Sequence, residues 1–207
     1  MMQNKKMKTI GITGGVGSGK SKLLAYVKER YCCRVILADD VAHQVKEPGQ
    51  RCYEALRALL GKEILNPDGW IDKIRMAEKI FTDGQLLAQV NDIVHPAVKE
   101  VILQEITNAR MEGKLDFVFV EAALLIEGGY EEILDELWYI YADTGVRKDR
   151  LRRFRAYSDE KTARIMQEQL AEEEFRRHCQ VVIDNSGSFE DACLQIDRKL
   201  EEYLCQR

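Results

Sequence analysis

The feature that most constrains this chain is a glycine-rich loop close to its N-terminus. Residues 14–21 read GGVGSGKS and match the pattern G-x-x-x-x-G-K-[ST] with nothing missing. The preceding residues 8–13 predict a short buried strand, and the residues from Lys20 onward predict an amphipathic helix. A glycine-rich turn that happens to precede a helix is the alternative, but it does not account for the strand, lysine, hydroxyl and helix occurring together. The sequence therefore predicts a site for the phosphate groups of a nucleotide.

Each part of this loop has an expected task in phosphate binding. The glycines let the backbone turn sharply and point N–H groups inward at an anion, and the helix N-terminus adds partial positive charge. The Lys20 ammonium would reach the β- and γ-phosphates, and the Ser21 hydroxyl would ligate Mg²⁺. The loop residues that we predict to contact the nucleotide are Gly15, Val16, Gly17, Ser18, Gly19, Lys20 and Ser21.

The bulk composition fits one α/β domain. The chain has 207 residues, of which 45% are hydrophobic and 32% are charged, and its net charge of −4 creates no global basic field for nucleic acid. No apolar run approaches the length needed to span a bilayer, and glycines interrupt the sequence before a signal-peptide core could form. We therefore expect a cytoplasmic protein that binds neither nucleic acid nor membrane.

The cysteines do not predict a metal site. The six cysteines form no C-x-x-C pair, and the three histidines do not complete a zinc pattern. Without a secretory signal, reduced thiols are favoured over disulfides. We interpret all six as packing or surface residues.

Five short apolar segments alternate with helical patterns along the chain. The predicted strands are residues 8–13, 34–38, 116–120, 137–142 and 180–183. This alternation indicates an α/β fold with a doubly wound, parallel five-stranded sheet. Between the second and third strands, apolar residues recur at helical spacing over 71–81, 85–94 and 97–111, which predicts three helices. Because residues 53–112 contain no predicted strand, we interpret them as a helical insertion over one end of the sheet.

Acidic residues follow the predicted strands at the edge where ligands gather in open α/β sheets. Asp39 and Asp40 follow the second strand, and Glu121 follows the third. Asp39 is a candidate base for an acceptor hydroxyl, and Glu121 is a candidate to hold Mg²⁺ through water, as phosphoryl transfer requires. The alternative for either residue is a helix N-cap or a surface turn, and for Asp40 that alternative is favoured.

A run of basic residues over 147–155 begins a charged helix that breaks near residues 158–159 and resumes over 160–177. Such a run is usually a solvated helix face, and a nucleic-acid patch is a second alternative. Arg150 and Arg153 nevertheless share one face through their i,i+3 spacing. We interpret residues 147–177 as a lid that closes over ATP, excludes water and brings an arginine to the transferred phosphoryl group.

Several segments together resemble the dephospho-CoA kinase family. Beyond the loop these are Ala38-Asp39 with Val41-Ala42 and Pro48-Gly49, Asp68-Gly69 with Ile80-Phe81, Val94-His95-Pro96, Leu124-Leu125 with Glu127, and Ile183-Asp184-Asn185-Ser186-Gly187. The resemblance spans nearly the whole chain. It implies a single P-loop nucleoside-triphosphate kinase domain over residues 1–207, in which the insertion at about 53–112 binds the acceptor. It also implies ATP-dependent phosphorylation of the 3′-hydroxyl of dephospho-CoA, giving CoA and ADP, the last step of coenzyme A biosynthesis.

The resemblance also implies roles for individual residues. Asp39, Lys20 and Arg153 would be catalytic, and Ser21 and Glu121 would hold the metal. Lys22, Arg150 and Asn185 would join the loop in binding ATP, with Asn185 near the adenine. The acceptor side would be formed by Asp39, His43, His95, Leu124 and Leu125. For His95, which precedes a proline, a structural role at a helix start is the alternative.

The chain departs from the family pattern at several positions. Leu37 stands where an aspartate is expected, His43 and Lys73 stand at arginine positions, and Glu121 stands at an aspartate position. Further departures are Lys22, Ala123 and Tyr157-Ser158. They leave two alternatives to weigh: another small-molecule P-loop kinase, and a non-catalytic ATP-binding module. Loss of an arginine removes a two-pronged phosphate grip, and His43 would be mostly neutral near neutral pH.

Overall fold

The computed structural model describes residues 7–81 and 83–205. Its sheet has five strands: β1 (Lys8–Thr13), β2 (Cys33–Leu37), β3 (Phe117–Glu121), β4 (Glu136–Tyr141) and β5 (Val181–Asp184). The strand order is β2-β3-β1-β4-β5. Strand β1 runs parallel to both β3 and β4, with Ile10 opposite Phe119 and Glu136, and β4 runs parallel to β5. The prediction of a five-stranded parallel α/β sheet is confirmed.

Helices connect these strands, as parallel pairing requires. Within the described residues they are α1 (Lys20–Arg30), α2 (Ala38–Gln44), α3 (Tyr53–Leu60), α4 (Lys73–Phe81), α5 (Gly84–Glu112), α6 (Thr144–Arg155), α7 (Asp159–Gln167), α8 (Glu172–His178) and α9 (Phe189–Cys205). None of these helices combines the length and the apolar character needed to cross a membrane.

The core is built on the three central strands. Phe117, Phe119 and Trp138 are almost fully buried, and the rings of Phe119 and Trp138 meet edge to face with centroids 6.3 Å apart. Helices α1 and α9 cover this cluster with apolar side chains that include Leu23 and Ile196. Apolar residues on both sides of a strand are typical of a parallel sheet that is covered on both faces.

The chain divides into two compact units. The first comprises the residues up to Val35 and from Ile106 onward, and the second is Ile36–Glu105. The second unit starts and ends earlier than the predicted insertion at residues 53–112. The difference at its end arises because the last turns of α5 belong to the first unit. There the Arg110 guanidinium lies 3.7 Å from the Asp135 carboxylate and donates to the Thr9 hydroxyl.

Helix α5 differs from the prediction of two helices broken before residue 97. It is one helix of 29 residues with Pro96 inside it. Proline removes a backbone hydrogen bond and costs roughly 3 kcal/mol in a helix interior. The buried positions Val90, Val94, Val98 and Ile102 nevertheless continue at four-residue spacing through the proline. Because this apolar stripe stays buried on both sides of Pro96, packing maintains the helix where local propensity would end it.

The predicted lid also differs in detail. The expected break near residues 158–159 is present, because the Ser158 side chain accepts a hydrogen bond from the backbone N–H of Lys161 and caps α7. The continuous helix expected over 160–177 is instead two helices, α7 and α8, separated by residues 168–171. That separating segment includes Gln169, whose side chain reaches the glycine-rich loop.

Candidate active site

The glycine-rich loop connects β1 to α1 in a conformation that requires glycine at particular positions. Gly19, which immediately precedes α1, has φ of 95°, in the left-handed region that favours glycine. A Cβ atom at Gly19 would lie 2.4 Å from the Asn185 amide nitrogen, so a larger residue would also clash. Gly14 has φ of 143°, and a Cβ atom there would lie 2.5 Å from the Ile140 carbonyl oxygen. The loop is therefore packed closely against β4 and against Asn185, which follows β5.

Lys20 and Glu121 meet at this loop. The Lys20 ammonium donates to the Gly14 carbonyl oxygen over 2.7 Å and lies 3.8 Å from a Glu121 carboxylate oxygen. Both side chains are mostly buried. The structure thus brings together the predicted phosphate-binding lysine and the predicted magnesium-holding carboxylate, because β3 and β1 are neighbours and their carboxyl ends share one edge of the sheet.

Arg150 and Asn185 support the second half of the loop. The Asn185 side-chain amide donates to the Ser18 carbonyl oxygen over 2.7 Å, and the Arg150 guanidinium donates to that same oxygen over 3.3 Å. Arg150 also donates to the Asn185 carbonyl oxygen over 2.9 Å. Burial lowers the pKa of Arg150. Both predicted ATP-binding residues therefore contact the phosphate loop directly.

Two further side chains contact the first half of the loop, and the sequence did not single them out. The Arg147 guanidinium donates through Nε to the Val16 carbonyl oxygen over 2.9 Å. The Gln169 side-chain oxygen accepts a hydrogen bond from the Val16 N–H over 3.2 Å. Arg147 was within the predicted basic run, but its position there did not separate it from its neighbours. Gln169 had no sequence signal, because its role depends on a contact across 153 positions of the chain.

The loop region contains unpaired buried polar atoms. In the part of the chain that the structure describes, the buried side-chain atoms without a hydrogen-bond partner are Thr13 Oγ1, Ser18 Oγ and Asn185 Oδ1. Thr13 directly precedes the loop, Ser18 is in it, and Asn185 packs against it. Buried polar groups are normally paired, so a cluster of unpaired ones marks a site where a ligand can supply the missing partners.

The other predicted residues of the first unit differ in their exposure and contacts. Arg153 and Ser21 are exposed, and the Lys22 ammonium lies 3.8 Å from the centroid of the Phe189 ring. Leu124 is half exposed, whereas Leu125 is fully buried. For Leu125, the contact with the acceptor stays a prediction. Its side chain packs in the core beside Gly11, so of this pair only Leu124 offers surface to a ligand.

In the second unit, α2 carries the predicted acidic base, and His43 on the same helix belongs to a cluster of basic residues. Asp39 is exposed in the first turn of α2, immediately after β2, and His43 is in the last turn. The His43 Nε2 atom lies 3.2 Å from the Lys73 ammonium at the start of α4. Burial and the nearby Lys73 lower the pKa of Lys46. In this cluster of His43, Lys46 and Lys73 the two lysines repel each other, and a charge on His43 would add to that repulsion. Such an arrangement is stabilised by an anion.

The cluster also shifts the protonation of His43. Burial is the main cause that lowers the pKa of His43 below its usual value, and Lys73 and Lys46 lower it further. The carboxylates of Asp39 and Asp40 oppose this shift. The imidazole is therefore neutral at neutral pH and can accept a hydrogen bond from the Lys73 ammonium. His95, the other predicted histidine, is exposed on α5 directly before Pro96.

Comparison with known proteins identifies the family. The family model described as dephospho-CoA kinase matches residues 8–191 of this chain. The chain belongs to the dephospho-CoA kinase family. A dephospho-CoA kinase from Dehalococcoides mccartyi is 33% identical over 192 residues, covering 92% of this chain and 96% of that protein. One from Oceanobacillus iheyensis is 32% identical over 194 residues, covering 94% and 96%.

Solved structures share the fold of this chain. A crystal structure from Thermus thermophilus matches with a TM-score of 0.78 at 29% identity, covering 96% of this chain and 98% of that one. Dephospho-CoA kinase from Campylobacter jejuni matches with a TM-score of 0.71 at 21% identity, covering 95% and 97%. Shikimate kinase from Acinetobacter baumannii matches at 0.50 and 12% identity, covering 98% and 96%, and shows a shared fold.

Within the dephospho-CoA kinase family, two departures of this chain contact each other. His43 and Lys73 are both predicted from the family resemblance to replace an arginine, and the structure places their nitrogens 3.2 Å apart. The two substitutions therefore change one local cluster rather than two separate sites. Lysine keeps a positive charge but loses the planar, two-pronged grip of a guanidinium on a phosphate.

Proposed function

We propose that this protein transfers the γ-phosphoryl group of ATP to the 3′-hydroxyl of dephospho-CoA, giving ADP and CoA. The observation that carries the proposal is the intact phosphate loop, with its left-handed glycines and the Lys20 ammonium held on it, in a chain whose residues 8–191 match the family. The two alternatives, a different small-molecule kinase and a non-catalytic module, have no structural observation of their own in their favour.

In this proposal the first unit holds the nucleotide. The N–H groups of residues 15–19 and the Lys20 ammonium bind the phosphates, while Arg150 and Asn185 keep the loop in shape through the Ser18 carbonyl oxygen. Because these hydrogen bonds already fix the conformation of the loop, the loop needs little rearrangement when the triphosphate binds. Less of the binding free energy is then lost in ordering the loop.

The donor set fits Mg²⁺. Among the described residues, no group of three or more His, Cys, Asp or Glu side chains is placed to hold a metal ion. Mg²⁺ in kinase sites is usually bound through one or two protein oxygens plus phosphates and water. We propose that the exposed Ser21 hydroxyl and the Glu121 carboxylate supply those protein oxygens. When bound, the ion would neutralise charge on the phosphates.

In this proposal residues of the second unit bind the acceptor. Asp39 accepts the proton of the 3′-hydroxyl and orients that oxygen for attack on the γ-phosphorus. The basic cluster of His43, Lys46 and Lys73 binds a phosphate group of dephospho-CoA, because an anion relieves the repulsion among them. His95 and Leu124 are exposed and remain proposed acceptor contacts.

A direct assay tests the function. Purified protein is incubated with ATP and Mg²⁺, with and without dephospho-CoA, and both ADP and CoA are quantified. We expect ADP and CoA to form in equal amounts and only when dephospho-CoA is present. Turnover with another alcohol but not with dephospho-CoA would support a different kinase. ATP binding without any acceptor-dependent turnover would support the non-catalytic module.

Acceptor binding is expected to depend on the protonation of His43. Because the pKa of His43 is lowered, the imidazole is neutral at pH 7 and gains its charge as the pH falls through that lowered value. KM for dephospho-CoA should therefore change little between about pH 7.5 and 6.5 and decrease by about 3- to 10-fold at lower pH, once the imidazole is charged. This is the scale of one added ionic contact to a phosphate. Initial rates at saturating ATP across this range give the measurement.

Two variants serve as controls for this pH dependence. His43→Arg keeps a positive charge at every pH, so its KM for dephospho-CoA should be low and nearly constant. His43→Gln is always neutral, so its KM should stay high. If His43→Gln retains the pH dependence of the unsubstituted protein, the titrating group is another residue and the role proposed for His43 is wrong.

A further inference from the structure

Both backbone polar groups of Val16 are bound by lid side chains. The Val16 carbonyl oxygen accepts from Arg147 Nε, and the Val16 N–H donates to Gln169 Oε1. Arg147 Nη2 also donates to Gln169 Oε1 over 2.6 Å. Gln169 Oε1 is thus the acceptor for two converging donors, one of them a backbone amide of the phosphate loop and the other a guanidinium.

A neutral amide oxygen is a weak acceptor for these two donors, the Val16 N–H and the Arg147 guanidinium. The N–H groups of a phosphate loop point to the position where an anion binds. Gln169 Oε1, which accepts from the Val16 N–H, therefore lies at a position where an anion can bind. Arg147 is half buried, and burial lowers its pKa. Among residues 7–81 and 83–205, no carboxylate forms an ion pair with Arg147. A guanidinium held in this way is stabilised more by an anionic oxygen than by an amide oxygen, because the anion adds the attraction of a full opposite charge in a partly buried site.

We propose that Gln169 Oε1 holds the place of an oxygen of the terminal phosphoryl group of ATP, and that Arg147 is a further catalytic residue that contacts this phosphoryl group. On nucleotide binding, the phosphate oxygen replaces Gln169 Oε1 as the acceptor for the Val16 N–H and for Arg147 Nη2. The identity of the nucleotide rests on the proposed function.

The other lid arginines are less suited to this role in the structure. Arg150 already donates to two backbone oxygens, those of Ser18 and Asn185. Arg153, the arginine predicted from the sequence, is exposed on α6. The guanidinium of Arg147 lies directly against the loop, because a Cβ atom at Gly15 would be 2.3 Å from Nη2. A positive charge at this position would stabilise charge that develops on the transferred phosphoryl group.

The proposal makes Gln169 a competitor of the terminal phosphate. Gln169→Ala frees both donors, so the Kd for Mg·ATP should fall by about 2- to 10-fold, the worth of one net hydrogen bond. The Kd for Mg·ADP, which lacks the terminal phosphoryl group, should not change. Gln169→Glu places a carboxylate on the same donors and should weaken ATP binding by a similar factor. Isothermal titration calorimetry without acceptor measures both nucleotides.

Arg147 is tested by the same titrations together with kinetics. Arg147→Gln should lower kcat by about 10²- to 10³-fold, as expected for removal of one donor to a developing charge. It should also weaken Mg·ATP binding more than Mg·ADP binding. The matched controls are Gln167→Ala on α7 and Arg155→Gln on α6, both at exposed positions, which should change neither Kd. Thermal unfolding of each variant checks that the fold is retained.

If Gln169 and Arg147 only stabilise the loop, the titrations and kinetics give different results. If Gln169→Ala weakens ATP and ADP equally, or changes neither, Gln169 does not compete with a phosphate and the proposal is wrong. If Arg147→Gln weakens both nucleotides equally and leaves kcat unchanged, Arg147 only supports the loop. Because binding is measured without acceptor, a protein that binds ATP but does not phosphorylate dephospho-CoA refutes the proposed function separately from this inference.

Discussion

Replacing Asp39 with asparagine is expected to lower kcat for phosphoryl transfer by about 10²-fold or more, the usual scale of a positioned base. Asparagine keeps the size of the side chain but cannot accept the proton of the acceptor hydroxyl. Because the proposal places Asp39 on the acceptor and not on the nucleotide, the Kd for Mg·ATP should stay nearly the same. Initial-rate kinetics with varied dephospho-CoA, together with ATP titration, give both quantities.

Asp40 provides a matched control for this prediction. It is the next residue on α2, it is also an exposed aspartate, and the sequence favours a structural role for it. Asp40→Asn should therefore leave kcat within about twofold, as for most surface substitutions. An unchanged kcat in Asp39→Asn, or an equal loss in both variants, would remove Asp39 from the proposed role as base.

Lys20→Ala is expected to weaken Mg·ATP binding and to lower kcat by about 10²- to 10³-fold, because it removes a cation from the charge that develops on the phosphates. It also removes the hydrogen bond to the Gly14 carbonyl oxygen and the nearby positive partner of Glu121. The loop and the carboxylate that we propose to hold Mg²⁺ therefore both lose a contact. ATP titration and initial rates at saturating acceptor measure the two effects.

Lys28→Ala is the control for the loss of a lysine from the same helix. Lys28 is exposed in the last turn of α1, away from the loop end of that helix, so its removal should leave ATP binding unchanged. Thermal unfolding of Lys20→Ala separates a local loss from global destabilisation. If Lys20→Ala folds normally and binds Mg·ATP as tightly as the unsubstituted protein, the loop is not the nucleotide site.

Local patterns predicted the sheet well. The five strands were identified because continuous apolar runs such as residues 116–120 have no polar face, as a sheet covered on both sides requires. The loop was identified because its glycines, lysine and hydroxyl each perform a local task. Where the prediction differed, packing overrode local propensity: helix α5 continues through Pro96 because the buried stripe from Val90 to Ile102 spans it.

The residues predicted to bind the acceptor show why motif matching alone is incomplete. Leu124 and Leu125 are adjacent in one predicted motif, yet one is half exposed and the other is a core residue beside Gly11. His43 and Lys73 were separate departures from a pattern, 30 positions apart, and only the folded second unit shows that they contact each other. Burial and pairing are properties of the fold, so a linear motif cannot distinguish such residues.

The sequence alone determined the class of this protein, because a phosphate loop between a strand and a helix depends only on residues that are neighbours in the chain. The tertiary structure decided which side chains complete that loop. Gln169 and Arg147 reach Val16 across 153 and 131 positions, respectively. The helix break near residue 169 and the approach of α6 to the loop make those contacts possible, and neither follows from local periodicity. Hydrogen bonds between distant residues exist only once the sheet and the helices around it have folded, and for this reason the structure was needed to find them.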